Sequence, residues 1–109
     1  MIKKSQYIKD MKEGEVICDI FVVKFKKPVA KYKNGYKFEL RLGDSSKEIM
    51  YKYWGSDDEE AVQAIYDKIK SDDVILSNGK VSAWNDSLEI ANNNDGKIQI
   101  LAEDEYDIS

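Results

Sequence analysis

Cationic and aromatic side chains are concentrated in the segment from Lys24 to Trp54, where they could act together on a ligand. Lysine and arginine neutralise phosphates, and exposed aromatic rings stack on nucleobases at about 1–3 kcal/mol per base. The whole chain is acidic, with a formal net charge of −4, but residues 1–53 hold 13 Lys/Arg against 7 Asp/Glu. Because salt screens charges beyond about 8–10 Å, a local basic patch can still bind an anionic partner.

Residue types that support enzymatic chemistry are scarce. The chain has no histidine and one cysteine, Cys18, which we expect to be buried. This composition excludes His-dependent triads, most zinc sites, cysteine metal clusters and intrachain disulfides. We therefore expect a non-enzymatic binding module without a metal or cofactor. No apolar run approaches the roughly 18 residues of a membrane span, and a secretory pattern is lacking. These features predict a cytoplasmic, nucleoid-associated protein with no membrane partner.

Hydrophobic periodicity predicts five strands and one helix in a single domain over 1–109. The predicted segments are strands over 16–27, 36–42 and 48–54, a helix over Asp57–Lys70, and strands over 74–84 and 87–91. The domain core is expected over about 11–101. An acidic tail follows over 102–109, and its composition does not support an ordered structure.

Alternation within the strands assigns side chains to two faces of the sheet. The inward set is Tyr36, Phe38, Leu40 and Leu42 from the second strand with Ile49, Tyr51 and Tyr53 from the third. The outward set is Lys37, Glu39 and Arg41 with Met50, Lys52 and Trp54. In the first strand, the same pattern places Val23 and Phe25 on one face and Lys24 and Lys26 on the other.

Turn residues connect the predicted strands. Pro28 cannot donate a ladder hydrogen bond, so it indicates an edge, a bulge or the end of the first strand. Asn34-Gly35 predicts a type I′ hairpin, because both residues tolerate positive φ. Asn85 and Asp86 predict the turn between the last two strands.

Acidic residues at 57–60 have a structural explanation. Ser56 and Glu59 have the spacing of a capping box, and the helix dipole favours negative charge in the first turn. A metal or catalytic site built from these carboxylates is the less favoured alternative.

The order β-β-β-α-β-β in about 100 residues is that of the OB-fold, a five-stranded Greek-key barrel with a helix between strands 3 and 4. The predicted class is therefore all-β with one helix. An immunoglobulin-like sandwich needs about seven strands and no central helix. A ferredoxin-like fold needs a helix directly after the first strand, where this sequence has a hairpin.

Two segments resemble a known family. KNGYKFELRLGDSSKEIMYKYWG is similar to the strand 2–strand 3 signature of OB domains in the replication protein A family, especially its archaeal members. DDVILSNGKVSAWNDSLEI resembles that family's strand 4–turn–strand 5 segment. The likeness spans roughly Met11 to Leu101 and implies single-stranded DNA binding in replication or repair, with Trp54 stacking a base. The further OB domains and zinc finger of long archaeal members have no counterpart in this sequence.

OB-folds bind ligands across the outer side of strands 2 and 3 and the flanking loops. Stacking is assigned to Trp54, with Trp84 and Tyr32 as further candidates and Asn85 in the adjoining loop. Neutralisation of phosphates is assigned to Lys24, Lys26, Lys31, Lys33, Lys37, Arg41 and Lys52. Trp84 has a structural alternative, as a lid over the barrel end, and Glu39 has no evident partner on this face.

Three functions fit the sequence. The first is a single-stranded nucleic-acid-binding domain, with DNA as the expected ligand and RNA as the alternative. The second is a protein-interaction module of a replication or repair assembly, which would bind its partners through the acidic half. The third is an RNA- or tRNA-binding module cut from a nuclease or synthetase, since OB modules of some 3′–5′ exoribonucleases and anticodon-binding domains are also similar.

Overall fold

The computed structural model describes residues 1–92 and 98–107, apart from the side chain of Trp84. Within these ranges there are eight strands, one α-helix and two 3₁₀ turns, at Ile8–Asp10 and Glu103–Glu105. In chain order the elements are β1 (Ile2–Lys3), β2 (Val16–Tyr32), β3 (Gly35–Gly43), β4 (Glu48–Trp54), α1 (Glu59–Lys68), β5 (Val74–Trp84), β6 (Ser87–Ala91), β7 (Ile98–Leu101) and β8 (Tyr106–Asp107).

Strands β2 to β6 close into a five-stranded barrel. Their order is β2-β3-β4-β6-β5, and β5 pairs back onto β2. All of these pairs are antiparallel except β4–β6. The 17-residue β2 makes closure possible, because residues 16–22 pair with β5 and residues 22–32 pair with β3. This topology, with α1 between β4 and β5, confirms the predicted OB-fold.

The barrel core consists of inward side chains from every barrel strand. Phe38, Leu40 and Tyr51 are completely or almost completely buried, and each such side chain stabilises the fold by about 1.5–3 kcal/mol. The Tyr51 hydroxyl donates to the Asn78 carbonyl at 3.0 Å, and burial raises the pKa of Tyr51. Tyr53 stacks on Phe38 with ring centroids 4.7 Å apart, and burial raises its pKa too. The predicted inward set of β3 and β4 is confirmed.

Helix α1 is shorter than predicted at both ends, covering Glu59–Lys68 instead of Asp57–Lys70. Its N-cap is Asp58, whose carboxylate accepts from the Ala61 N–H at 3.1 Å. The predicted capping box between Ser56 and Glu59 is therefore wrong. The Ser56 hydroxyl instead accepts from the Asp58 N–H, because the helix begins two residues after Ser56, at the extended N-cap Asp58. The acidic first turn still matches the helix dipole.

Strand β2 differs from simple alternation. A register shift between Val23 and Phe25 leaves Lys24 as an extra residue in the pairing with β3. After this bulge, Phe25 is 50% exposed and Lys26 turns toward the core side, where it lies opposite Leu40. The predicted facing of Phe25 and Lys26 is thus wrong. A second shift between Lys27 and Ala30 accommodates Pro28, and the strand continues to Tyr32.

Both predicted hairpins form, but only one has the predicted turn. At the first, the turn residues are Lys33 and Asn34, because Gly35 already pairs with Tyr32. Gly35 has φ 155°, and a Cβ there would lie 2.3 Å from the Ser56 carbonyl oxygen, so the position requires glycine. In the second hairpin, Asn85 and Asp86 have φ of 49° and 64°, as a type I′ turn requires.

The two ends of the described chain meet. Strand β1 pairs in parallel with β8, and the side chains of Ile2 and Tyr106 pack on a small cluster around Ile20. Residues 102–107 thus have ordered structure that the composition did not predict. Cys18 lies in the exposed part of β2, so the expectation that it is buried is wrong.

A buried ionic cluster fastens the N-terminal segment to the barrel. The Lys4 ammonium lies 3.5 Å from the Asp19 carboxylate and 3.3 Å from that of Asp44, and all three side chains are at least 94% buried. Asp19 accepts from the backbone N–H groups of Ser5 and Gln6. Burial alone would raise the pKa of Asp44, but hydrogen bonds from the Ser46 hydroxyl and nearby backbone N–H groups outweigh it and lower that pKa.

We predict that Asp44→Asn removes part of the protein's acid sensitivity. A carboxyl group with a lowered folded-state pKa stabilises the fold above its unfolded pKa of about 3.9, and this stabilisation is lost as pH falls through the folded-state pKa. Urea unfolding between pH 3 and pH 7 should show that the variant is about 1–3 kcal/mol less stable at pH 7. Its free energy of unfolding should also fall less between pH 7 and pH 3. Glu13→Gln, at an exposed position, is the control. If the free energy of unfolding of Asp44→Asn fell with decreasing pH as steeply as that of the unmodified chain, the lowered pKa of Asp44 would be contradicted.

Candidate nucleic-acid interface

Three cross-strand rows of side chains cover the side of β2, β3, β4 and β6 that points away from the core. Directly paired residues point to the same side of a sheet, so the strand register defines the rows. They are Phe25–Arg41–Met50–Glu89, Lys27–Glu39–Lys52–Ala91 and Ala30–Lys37–Trp54. We call these residues, together with Tyr32 beside the last row, the outer face. The predicted outward set of β3 and β4 lies on it.

Trp54 is held at one end of the outer face with 38% of its surface exposed. Its ring meets that of Tyr32 edge to face at a centroid distance of 4.9 Å, and the Tyr32 hydroxyl donates to the Gly55 carbonyl at 2.8 Å. The Lys37 ammonium lies 5.0 Å from the Trp54 ring centroid. The backbone is fixed by Asn92, whose side chain accepts from the Trp54 N–H at 2.7 Å and donates to its carbonyl. The indole is therefore positioned before any ligand arrives.

The cations of β3 and β4 on this face are paired with carboxylates. Lys37 lies 4.0 Å from Glu39, which is the partner that the sequence did not reveal. The other pairs are Arg41–Glu48 at 3.7 Å and Lys52–Glu89 at 3.2 Å. Partly exposed ion pairs contribute only about 0–1 kcal/mol each. An incoming phosphate can therefore displace these carboxylates at modest cost, although the carboxylates weaken the attraction of the face for anions.

The remaining residues of the predicted site lie outside the three rows of the outer face. Lys24 is the exposed bulge residue beside Gly43, and Lys33 belongs to the β2–β3 turn. Lys31 pairs with Tyr36 and so points to the opposite side of the sheet. Asn85 is exposed in the β5–β6 turn. Trp84 ends β5, and its side chain lies outside the described part of the structure.

Lys26 is not brought to the outer face. Its ammonium donates to the carbonyls of Tyr66 and Ile69 at the C-terminal end of α1, and it lies 3.9 Å from the Tyr66 ring centroid. Carbonyl groups at a helix C-terminus carry partial negative charge and lack helical partners, so a lysine there stabilises the helix. Lys26 therefore caps the C-terminal end of α1 and is not available to bind a phosphate on the outer face.

Sequence patterns missed Phe25 and Asn92. Phe25 reaches the outer face because of the bulge at Lys24, which alternation could not reveal. Asn92 follows β6 and holds the Trp54 backbone from a distant position in the chain. Among residues 1–92 and 98–107, no group of three or more His, Cys, Asp or Glu side chains converges as a metal site. No helix in the same ranges is long and apolar enough to cross a membrane.

Solved structures share this architecture. The HINb domain of p204 matches with a TM-score of 0.64 at 9% identity, covering 89% of this chain and 47% of its own. A murine DNA-binding protein bound to double-stranded DNA matches with a TM-score of 0.62 at 12% identity, covering 90% of this chain and 48% of its own. A third structure, concerned with structural mimicry for functional antagonism, gives a TM-score of 0.62 at 15% identity and covers 88% and 44%.

The comparisons support the fold and leave the function open. The chain spans about half the length of these structures, and the identities are 15% or lower. Similarity at this level establishes a common fold and not a common activity. Protein-family models and curated proteins gave no match.

We predict that two neighbouring lysines differ sharply in their effect on stability. Lys26→Met removes hydrogen bonds to the end of α1 and should lower the free energy of unfolding by about 1–3 kcal/mol. Lys27→Met, at an exposed position of the same strand, should change it by less than about 0.5 kcal/mol. Urea titrations of both variants provide the measurement. Equal stabilities would show that Lys26 does not cap the helix.

Proposed function

We propose that this chain is a non-enzymatic OB domain that binds single-stranded nucleic acid on its outer face, with DNA as the preferred ligand. The observation that carries the proposal is the partly exposed, pre-positioned Trp54 beside Lys37, on a face that also holds Lys52 and Arg41. A base stacks on the indole, while Lys37, Lys52 and Arg41 exchange their carboxylate partners for phosphates. Stacking contributes about 1–3 kcal/mol per base, so one fixed tryptophan is enough to make binding measurable.

The stacking geometry favours single strands over duplexes. In a duplex both faces of a base are covered by its neighbours, so an aromatic ring can stack only on a base that is unpaired or has been unstacked. One of the structural relatives was solved with double-stranded DNA, which makes DNA a reasonable ligand for this fold and makes the duplex the necessary comparison. The preference for DNA and a role in replication or repair rest on the resemblance of residues 33–55 and 72–90 to replication protein A.

A second candidate is a protein-interaction module. Its support is two exposed acidic segments, residues 57–60 before and within α1 and the Glu103–Glu105 turn. An acidic segment of this kind suits a basic protein partner. A chain that binds a basic replication or repair protein and ignores oligonucleotides would favour this candidate over the first.

We predict that Trp54→Ala weakens binding of an eight-residue oligothymidylate by more than tenfold, because the stacking surface is lost. Fluorescence anisotropy of a labelled oligonucleotide measures the affinity. Ile100→Ala is the matched control, since Ile100 is also 38% exposed but lies on β7, away from the outer face. Its affinity should stay within about twofold of the unmodified chain.

The same titration at several salt concentrations should give a linear fall of log K with log salt, with a slope of about −0.7 per phosphate neutralised. A duplex of equal length should bind more weakly than the single strand. Absence of binding, salt-independent binding, or preference for the duplex would each overturn the proposal.

A further inference from the structure

Phe25 is an exposed aromatic residue on the outer face that the proposed mechanism leaves unused. Half of its surface is accessible, which is more than for Trp54. It lies opposite Arg41 in the β2–β3 pairing, in the row farthest from the row of Trp54. Full burial of a phenylalanine stabilises a fold by about 1.5–3 kcal/mol. The fold gives up much of that stabilisation at this position.

The bulge at Lys24 causes this exposure. Val23 is fully buried, and an uninterrupted strand would alternate so that Phe25 followed it into the core. The additional residue reverses the facing and presents the ring on the same side as Arg41 and Lys27. Bulges commonly re-aim a side chain near a functional site. The ring is therefore half exposed beside two cations, where it gains less from packing than it would in the core.

We propose that Phe25 is a second stacking position for a nucleobase, so that the outer face holds a strand of about five nucleotides between Phe25 and Trp54. The inference rests on the proposed function and specifies the ligand's length. Arg41 and Lys37, which mark the two rows, are four residues apart on β3, or about 13 Å. Phe25 on β2 and Trp54 on β4 are also two strands apart, or about 10 Å, so the two positions are separated by roughly 16 Å. At about 3.4 Å per stacked nucleotide, this span corresponds to roughly five nucleotides.

The surface between the two rings suits a nucleic-acid backbone. Lys27 and Lys52 stand on either side of Glu39 in the middle row, so cations border the path where phosphates would pass. On the β4 side of Arg41, a recess of about 310 Å³ is lined by Arg41 and Lys47 and also by the carboxylates of Glu48 and Asp86.

Binding of oligothymidylates of two, four and eight residues tests the proposal in four proteins: the unmodified chain, Phe25→Ala, Phe25→Trp and Val16→Ala. Val16 is 72% exposed on the same strand but pairs with Lys80 of β5, away from the three rows, and serves as the control. Phe25→Ala should bind the eight-residue strand about tenfold more weakly, equivalent to about 1.4 kcal/mol. Phe25→Trp should retain or improve the affinity, because it keeps an aromatic surface.

The length series separates stacking from general destabilisation. A dinucleotide reaches only one aromatic ring, so Phe25→Ala should change its affinity less than threefold. The unmodified chain should gain affinity steeply between two and eight residues, and Phe25→Ala should lose most of that gain. If the unmodified chain binds oligonucleotides and Phe25→Ala binds all lengths equally well, Phe25 is not a stacking position, although the proposed function stands. If no oligonucleotide binds to the unmodified chain, both proposals fail.

Discussion

The double pairing of β2 is the constraint on which the rest of the structure depends. One strand of 17 residues pairs with β5 through its first part and with β3 through the remainder, and this closes the barrel. A strand that serves two partners must curve strongly, and its two register shifts supply the extra residues for the bend. Strand β7 lies outside the closed ring and pairs with β5. Barrel closure also makes the outer face a continuous surface across four strands.

The same curvature determines which lysines and aromatic residues a ligand can reach. Before the bulge at Lys24, alternating residues point inward and outward in the pattern of the sequence. After it, Lys26 points toward α1 and Phe25 points to solvent. The additional residue at Lys24 thus turns Lys26, which was predicted to neutralise a phosphate, toward the end of α1. It also turns Phe25 to solvent. The chemistry of the outer face follows from backbone geometry as much as from composition.

Sequence patterns predicted the structure correctly where interactions between neighbouring residues determine it. Period-2 alternation in β3 and β4 assigned the faces of Phe38, Tyr51 and Lys52 correctly, because neither strand contains a bulge in their mutual pairing. Asn85-Asp86 likewise predicted the turn of the last hairpin, and the order of the elements predicted the OB-fold. The patterns failed where contacts between residues far apart in the sequence determine the structure. Asn92 bonds to Trp54 across 38 positions, and the buried ionic cluster of Lys4 joins three separate segments.

We propose that ligand binding is confined to the outer face, and residue-resolved NMR provides the test. Backbone amide shifts would be followed while an eight-residue oligothymidylate is added to the isotope-labelled chain. We predict the largest changes at residues 25–32, 37–41 and 50–54, with little change in α1 and at residues 103–107. Changes concentrated in α1 and residues 103–107, with the three outer-face segments unaffected, would contradict the account.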